Sequence, residues 1–203
     1  IQAKGGSLGG NGGQVETSSH NNLQVLGSVN VAAPLGTSGN WLLDPANVTI
    51  QTGGTGALSG NIFNPASDST IDPTTISSAL TNGSTVTITA SCAPCASNPS
   101  KGNLTIANSI DRVATGTATL SLNAGNQLTL ANGANTTSTA GNPLNVSFNA
   151  AQEVPSYLNL GNGSILSSGG SISVRIASRG NITLNSTTLN SANGNISLFV
   201  PNN

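Results

Sequence analysis

One short unit recurs along the chain and limits what it can fold into: a Gly-Asn or Gly-Gly step followed by apolar–polar–apolar. It reads GNLTI from 102, GNQLTL from 125, GNPLNV from 141, GGSISV from 169, GNITL from 180 and GNISL from 194. A period of two is the signature of a strand with one buried face. Gly and Asn tolerate positive φ and so make corners between strands. Reiteration points to a solenoid, in which each coil is completed only by its neighbours. The spacing is uneven: Asn103 to Asn126 is 23 residues, Asn126 to Asn142 is 16 and Asn181 to Asn195 is 14. At about 20 residues per coil the chain makes about ten coils and a rod about 50 Å long.

Further segments alternate in the same way: 14–18, 23–31, 47–51, 85–90, 103–107, 118–123, 127–131, 144–148, 171–177, 181–185 and 195–200. Helical periodicity is nearly absent. PTTISSAL (73–80) is the exception, with Pro73 at a first turn, Ile76 and Leu80 four apart, and Asn82-Gly83 as a stop. The reading is an all-β parallel solenoid forming one domain over 1–203. A β-sandwich is the alternative; it explains many short strands but not the reiterated corner unit. Two stretches break the pattern, 52–72 and 91–101 (SCAPCASNPSK), and both read as loops leaving the coils, where binding concentrates on a regular scaffold.

Composition fits stacked coils. Only 5% of the 203 residues are charged and 2% are aromatic, while Asn alone numbers 28. Like residues stack on one another in a parallel solenoid, so neutral outer rows avoid like-charge repulsion, and narrow aliphatic rows leave little room for rings. Disorder normally couples low hydrophobicity to high net charge; here the net charge is −1. Five basic residues make no phosphate-neutralising patch, which excludes nucleic acid as a partner. No apolar run approaches the roughly 20 residues that span a bilayer. The chain starts at Ile1 and contains no Met, the expectation for a processed protein or an excised segment. Neither IQAKGG nor NISLFVPNN looks like a capping element, so the ends are expected to meet further coils or other subunits.

Catalysis is not expected. The acids are Glu16, Asp44, Asp68, Asp72, Asp111 and Glu153. Glycoside hydrolysis needs two carboxylates facing one cleft; Asp44 and Asp68, one coil apart, are the nearest to such a pair, yet both sit in turn-like contexts. Arg175 and Arg179 are four apart with no acid cluster beside them, and His20 is alone. No cofactor or metal is implied. Cys92-Ala-Pro-Cys95 has a redox spacing without the surrounding pattern of a redox fold, and offers two ligands where structural zinc takes four. From the residues alone a disulfide, free thiols or a shared metal all stand open.

The first half carries a resemblance. GGNGGQVETS, the run VNVAAPLGTSGNWLLDP, the NVTI that follows, and TISSAL with a G-x-x-VTI behind it together resemble filamentous-haemagglutinin-type exoproteins, the large adhesins of Gram-negative two-partner secretion. The likeness is close over about 4–90 and looser in repeat style beyond. It implies a right-handed parallel β-helix, a secreted or cell-surface location, and a non-catalytic adhesive shaft. The partners implied are a host-cell, matrix or polysaccharide surface reached through loops, and an outer-membrane transporter for the parent protein. The Asn-Pro-Asn-type secretion motifs of that family are missing, so the segment is expected in the interior or distal shaft. A subunit of a homopolymeric fibre, self-associating end to end, is the alternative; a carbohydrate-active enzyme ranks lower.

An extracellular setting favours a Cys92–Cys95 disulfide, stiffening a loop tip rather than stabilising the fold. Some adhesins of this class are glycosylated at Asn-X-Ser/Thr sites, and nine occur here: Asn47, Asn82, Asn103, Asn135, Asn145, Asn162, Asn181, Asn185 and Asn195. A turn Asn followed by an alternating Thr or Ser generates the same motif by composition alone. The single Trp opens NWLLDP (40–45). Trp41, Leu42 and Leu43 are expected to fill a wider part of the core where a loop leaves the coils, with Asp44-Pro45 turning the chain into the next strand. An exposed sugar-stacking Trp41 is the competing reading.

Overall fold

A computed structural model describes residues 1–18, 29–44, 47–54, 69–80, 84–90, 102–150, 156–177 and 180–201, without the side chains of 17, 18 and 42–44. The chain is a β-solenoid of about five turns built from three parallel sheets. The widest sheet runs β1 (Gln14–Ser18), β2 (Asn40–Asp44), β5 (Thr85–Ala90), β8 (Ala118–Ala124), β11 (Leu144–Ala150), β14 (Ile172–Ile176) and β17 (Ile196–Phe199). The second runs β4 (Ser69–Ile71), β3 (Val48–Ile50), β6 (Leu104–Ile106), β9 (Gln127–Leu130), β12 (Ser156–Leu160) and β15 (Gly180–Leu184). The third is β7 (Ile110–Arg112), β10 (Asn135–Ser138), β13 (Ser164–Leu166) and β16 (Thr188–Asn190). Among the described residues all strand pairs are parallel, which excludes the antiparallel sandwich.

In-register pairing turns alternation into rows. Val86, Leu120, Val146 and Ile172 stack inward on the widest sheet, and Ile88, Leu122, Phe148 and Val174 form the row beside them. On the second sheet Ile71, Ile50, Ile106, Leu130 and Leu160 do the same. The outward row of that sheet is Thr70, Thr49, Thr105, Thr129, Asn159 and Thr183.

The coils are longer and fewer than the sequence spacing predicts. Leu120, Val146, Ile172 and Ile196 are successive in one row and lie 26, 26 and 24 residues apart. The Gly-Asn unit opens strands on more than one face: Asn126 precedes β9 on the second sheet and Asn142 precedes β11 on the widest. The 16-residue spacing is therefore face to face, not coil to coil. Two further expectations change. Residues 69–71, inside the predicted 52–72 excursion, form β4 and pair with β3; residues 55–68 of that excursion, and all of 91–101, lie outside the described residues. In 23–31 only 29–31 are described, with Asn30 forming a parallel bridge to Gln2 rather than joining a strand.

Asparagine accounts for much of the corner chemistry. Asn145 Oδ1 accepts from the Ser171 amide (3.0 Å), Asn135 Oδ1 from Ser164 (2.9 Å), Asn132 Oδ1 from Asn162 (3.0 Å) and Asn47 Oδ1 from Asn103 (2.9 Å). Each bond joins one coil to the next and satisfies an amide that no strand partner reaches. Glycine is required where corners touch. A Cβ on Gly194 would strike the carbonyl of Gly170, and one on Gly170 that of Leu144.

Two substitutions test this packing. Gly170→Ala forces the corner stack apart and should cost about 1–3 kcal/mol, read as a lower urea midpoint. Thr136 is fully buried between Ile110 and Ile165, and its Oγ1 has no hydrogen-bond partner. Thr136→Val removes an unpaired hydroxyl at nearly constant volume and should raise stability by about 1 kcal/mol, with the denaturant m-value unchanged.

Candidate functional site

The regular rod is interrupted on one side. β4 follows β3 in the chain yet pairs with its far edge, away from β6, so the segment doubles back by one coil. It leads into α1 (Pro73–Ala79), which packs beside β7 at the edge of the third sheet. Here the preceding coil would otherwise supply a strand.

The helix start is encoded locally. Asp72 is the N-cap: its Oδ1 accepts from the Thr74 amide (2.8 Å) and hydroxyl (2.6 Å), and its Oδ2 from the Gly53 amide (2.9 Å). Pro73 sits in the first turn, where its missing N–H costs nothing. Ile76, Ala79 and Leu80 face the core. At the other end Ser84 Oγ donates to the Ala79 carbonyl.

Arg112 fixes this helix to the solenoid. It points inward from β7 with no exposed surface. Nε donates to the Leu80 carbonyl (2.9 Å), Nη1 to the Asn142 carbonyl (3.0 Å) and Ser138 Oγ (3.2 Å), and Nη2 to the carbonyls of Thr115 (3.1 Å) and Gly116 (2.7 Å). The acceptors belong to the preceding coil, its own corner and the following coil. They are all neutral, and burial lowers the Arg112 pKa from its ordinary value.

Between α1 and β7 lies an open groove with a cavity volume of about 290 Å³. Pro73, Thr74, Ser77 and Ser78 form the helix wall, and Ser109, Asp111 and Val113 the strand wall. Asp111 Oδ1 accepts from Thr137 Oγ1 (2.6 Å), and Ser109 Oγ accepts from the Asn135 amide (3.0 Å). This is a concave, partly apolar site with one carboxylate and several hydroxyls.

The other sequence candidates do not converge here. Trp41 is 1% exposed, its position on β2 paired with Val15 and Val86, so its ring is no sugar platform. Leu42 and Leu43 follow it on β2, in register with Thr87 and Ile88. That stretch is a strand, not a loop departure, and Asp44 ends it. Glu16 is exposed on β1. Asp72 is occupied with capping. Arg175 faces outward on β14, its guanidinium 5.3 Å from the Phe199 ring centroid, within cation–π range. His20, Asp68, Cys92, Cys95, Glu153 and Arg179 lie outside the described residues. Among the described residues no three His, Cys, Asp or Glu side chains gather as metal ligands. Asn47 and Asn103 are half-buried in corner ladders, Asn103 Oδ1 also accepting from Asn126 (2.8 Å), whereas Asn181 is exposed on β15. Sequence reasoning passed over Arg112. Its signal was the adjacent charge pair Asp111-Arg112 inside a strand-length segment of a nearly uncharged chain.

No family model matches the chain, and no curated protein matches it.

Two measurements follow from this geometry. Arg112→Met leaves acceptors from three coils unpaired and should cost about 3 kcal/mol; Arg112→Lys should recover little of it, because one ammonium cannot span them. The Thr74 hydroxyl, then the Thr74 amide, lower the Asp72 pKa from its usual 3.8 against a smaller push upward from burial, and the Gly53 amide adds to the lowering. A folded pKa below the unfolded one gives stability that is complete above about pH 4 and is lost as pH falls through the folded value. The urea midpoint should therefore drop on acidification below about pH 4, and Asp72→Asn should flatten that part of the profile.

Proposed function

We propose that the chain is a non-catalytic shaft segment of a secreted, cell-surface adhesin of the filamentous-haemagglutinin type. The observation that carries this reading is the uncharged, in-register stacking of long parallel coils, which makes a stiff rod with little chemistry on it. The resemblance of residues 4–90 supports the class of parent protein, one exported through an outer-membrane transporter. The described carboxylates support the non-catalytic part: Asp72 caps a helix and Asp111 is the one acid in the groove. In this reading the rod holds adhesive surfaces away from the cell, toward host cells, matrix or polysaccharide.

A homopolymeric fibre is the second reading, favoured by one feature. Rows that are buried along the rod surface again in the last coil. Leu184, Ile196 and Leu198 are 44%, 43% and 46% exposed, while their neighbours Leu160, Ile172 and Val174 are at most 1% exposed. Such an end, with unpaired edges on β15, β16 and β17, fits one more coil, whether from the same chain or from another copy.

The intact mass of the protein from its natural source separates the two. A mass many times the 19.9 kDa of this chain is the expected result for a shaft segment, with loss of the protein when intact cells are treated with protease. A mass near 19.9 kDa, in assemblies that dissociate in denaturant, replaces the shaft by the fibre. A protein of that mass that is protected inside the cell removes both readings. Reduction of the same sample adds two hydrogens if Cys92 and Cys95 are bridged.

A further inference from the structure

We infer that the groove between α1 and β7 is a binding site for a single neutral sugar ring, held by Asp111, Ser109, Ser77 and Thr74. Asp111 presents a carboxylate in which Thr137 occupies only one of about four acceptor positions. Thr74 Oγ1 spends its hydrogen on Asp72 and can only accept from a ligand. Ser109 Oγ is the reverse: it already accepts from the Asn135 amide, so its hydrogen is the part that can donate. The groove thus mixes acceptors and donors within one turn of helix and one strand. A sugar hydroxyl both donates and accepts and matches that mixture. A cation uses only the acceptors, and an anion is repelled by Asp111. Val113, an exposed residue of the strand wall, provides apolar surface where the C–H face of a pyranose can lie. A volume of about 290 Å³ is at the small end for ligand sites, which fits one ring rather than an extended chain.

The groove is lined by α1 and by β7 with its flanks, and β4, at the end of the 52–72 excursion, leads the chain into it. The inference rests on the reading of the chain as a surface shaft, for which it supplies a ligand class. The two fail separately: the titration below uses isolated protein and is blind to parent size and location, whereas the intact mass is blind to the groove.

The experiment is a ¹H–¹⁵N NMR titration of the chain with methyl α-D-glucopyranoside, methyl β-D-galactopyranoside and N-acetyl-D-glucosamine. Saturable shifts are expected for at least one of them, confined to the amides of 74–78 and 109–113. Asp111→Ala should weaken binding about tenfold, as expected for a hydrogen bond to a charged group. Ser77→Trp, at a half-buried position on the groove side of α1, should abolish it by filling the groove while leaving the far-UV CD spectrum unchanged. If Asp111→Ala fails to fold, Ser77→Trp carries the test alone. No saturable shift with any of the three sugars overturns the inference. So do shifts centred elsewhere on the rod, such as around Trp41 or Tyr157, and shifts that survive Ser77→Trp. Shifts at the groove with n-butylammonium and with none of the sugars also overturn it, because the occupant is then a cationic side chain.

Discussion

Every side chain on a parallel solenoid stands about 4.8 Å from its counterpart one coil away, and that spacing governs the rest of the molecule. A charged row would repel itself along its whole length, so the outward faces are Thr, Ser and Asn. An aliphatic row gains a neighbour above and below, so the inward faces are Val, Ile and Leu, with Phe148 and Trp41 admitted singly. The low charge and the abundance of Asn have one origin. Asn fits the corners because its amide oxygen reaches the next coil's backbone, as Asn47, Asn132, Asn135 and Asn145 do.

A structure made by repetition becomes specific only where repetition fails. Here the failure is the reversed step of β4 and the helix after it. A strand at that edge of β7 would have continued the sheet; α1 ends it and leaves a recess. The residues that permit this are few: Asp72 and Pro73 start the helix, Ile76 and Leu80 bury it, and Arg112 ties its last carbonyl to the coils beyond. The groove beside Asp111 is a by-product of that exchange of helix for strand, and in the reading proposed above it is where a smooth shaft acquires a ligand.

The solenoid was legible because two of its three sheets bury aliphatic residues at alternate positions. Segments 14–18 and 85–90 match β1 and β5 residue for residue. The third sheet was almost invisible. β10 reads NTTS and turns Thr136 and Ser138 inward; β7 reads IDR and turns an arginine inward. No hydrophobic periodicity marks a strand whose buried side chains are polar. Without that sheet, corners on different faces merged into one series and the coil length came out short. β2 was read as core filling because Trp, Leu and Leu in a row hide an alternation. The helix of the groove was readable from Pro73 and the Ile76–Leu80 spacing. Its location was not, since doubling back by one coil leaves no local trace in the sequence.

Arg112 bears on how such a rod comes apart. A solenoid ordinarily melts like a zipper, each coil held only by the two it touches. A buried guanidinium bonded to three successive coils cannot release one of them without stranding its charge away from water. Around β7 the nearest-neighbour rule therefore gives way to a block that opens as a unit. Fraying of the coils should run freely until it meets this block and stop there, which gives a uniform-looking solenoid an internal bolt.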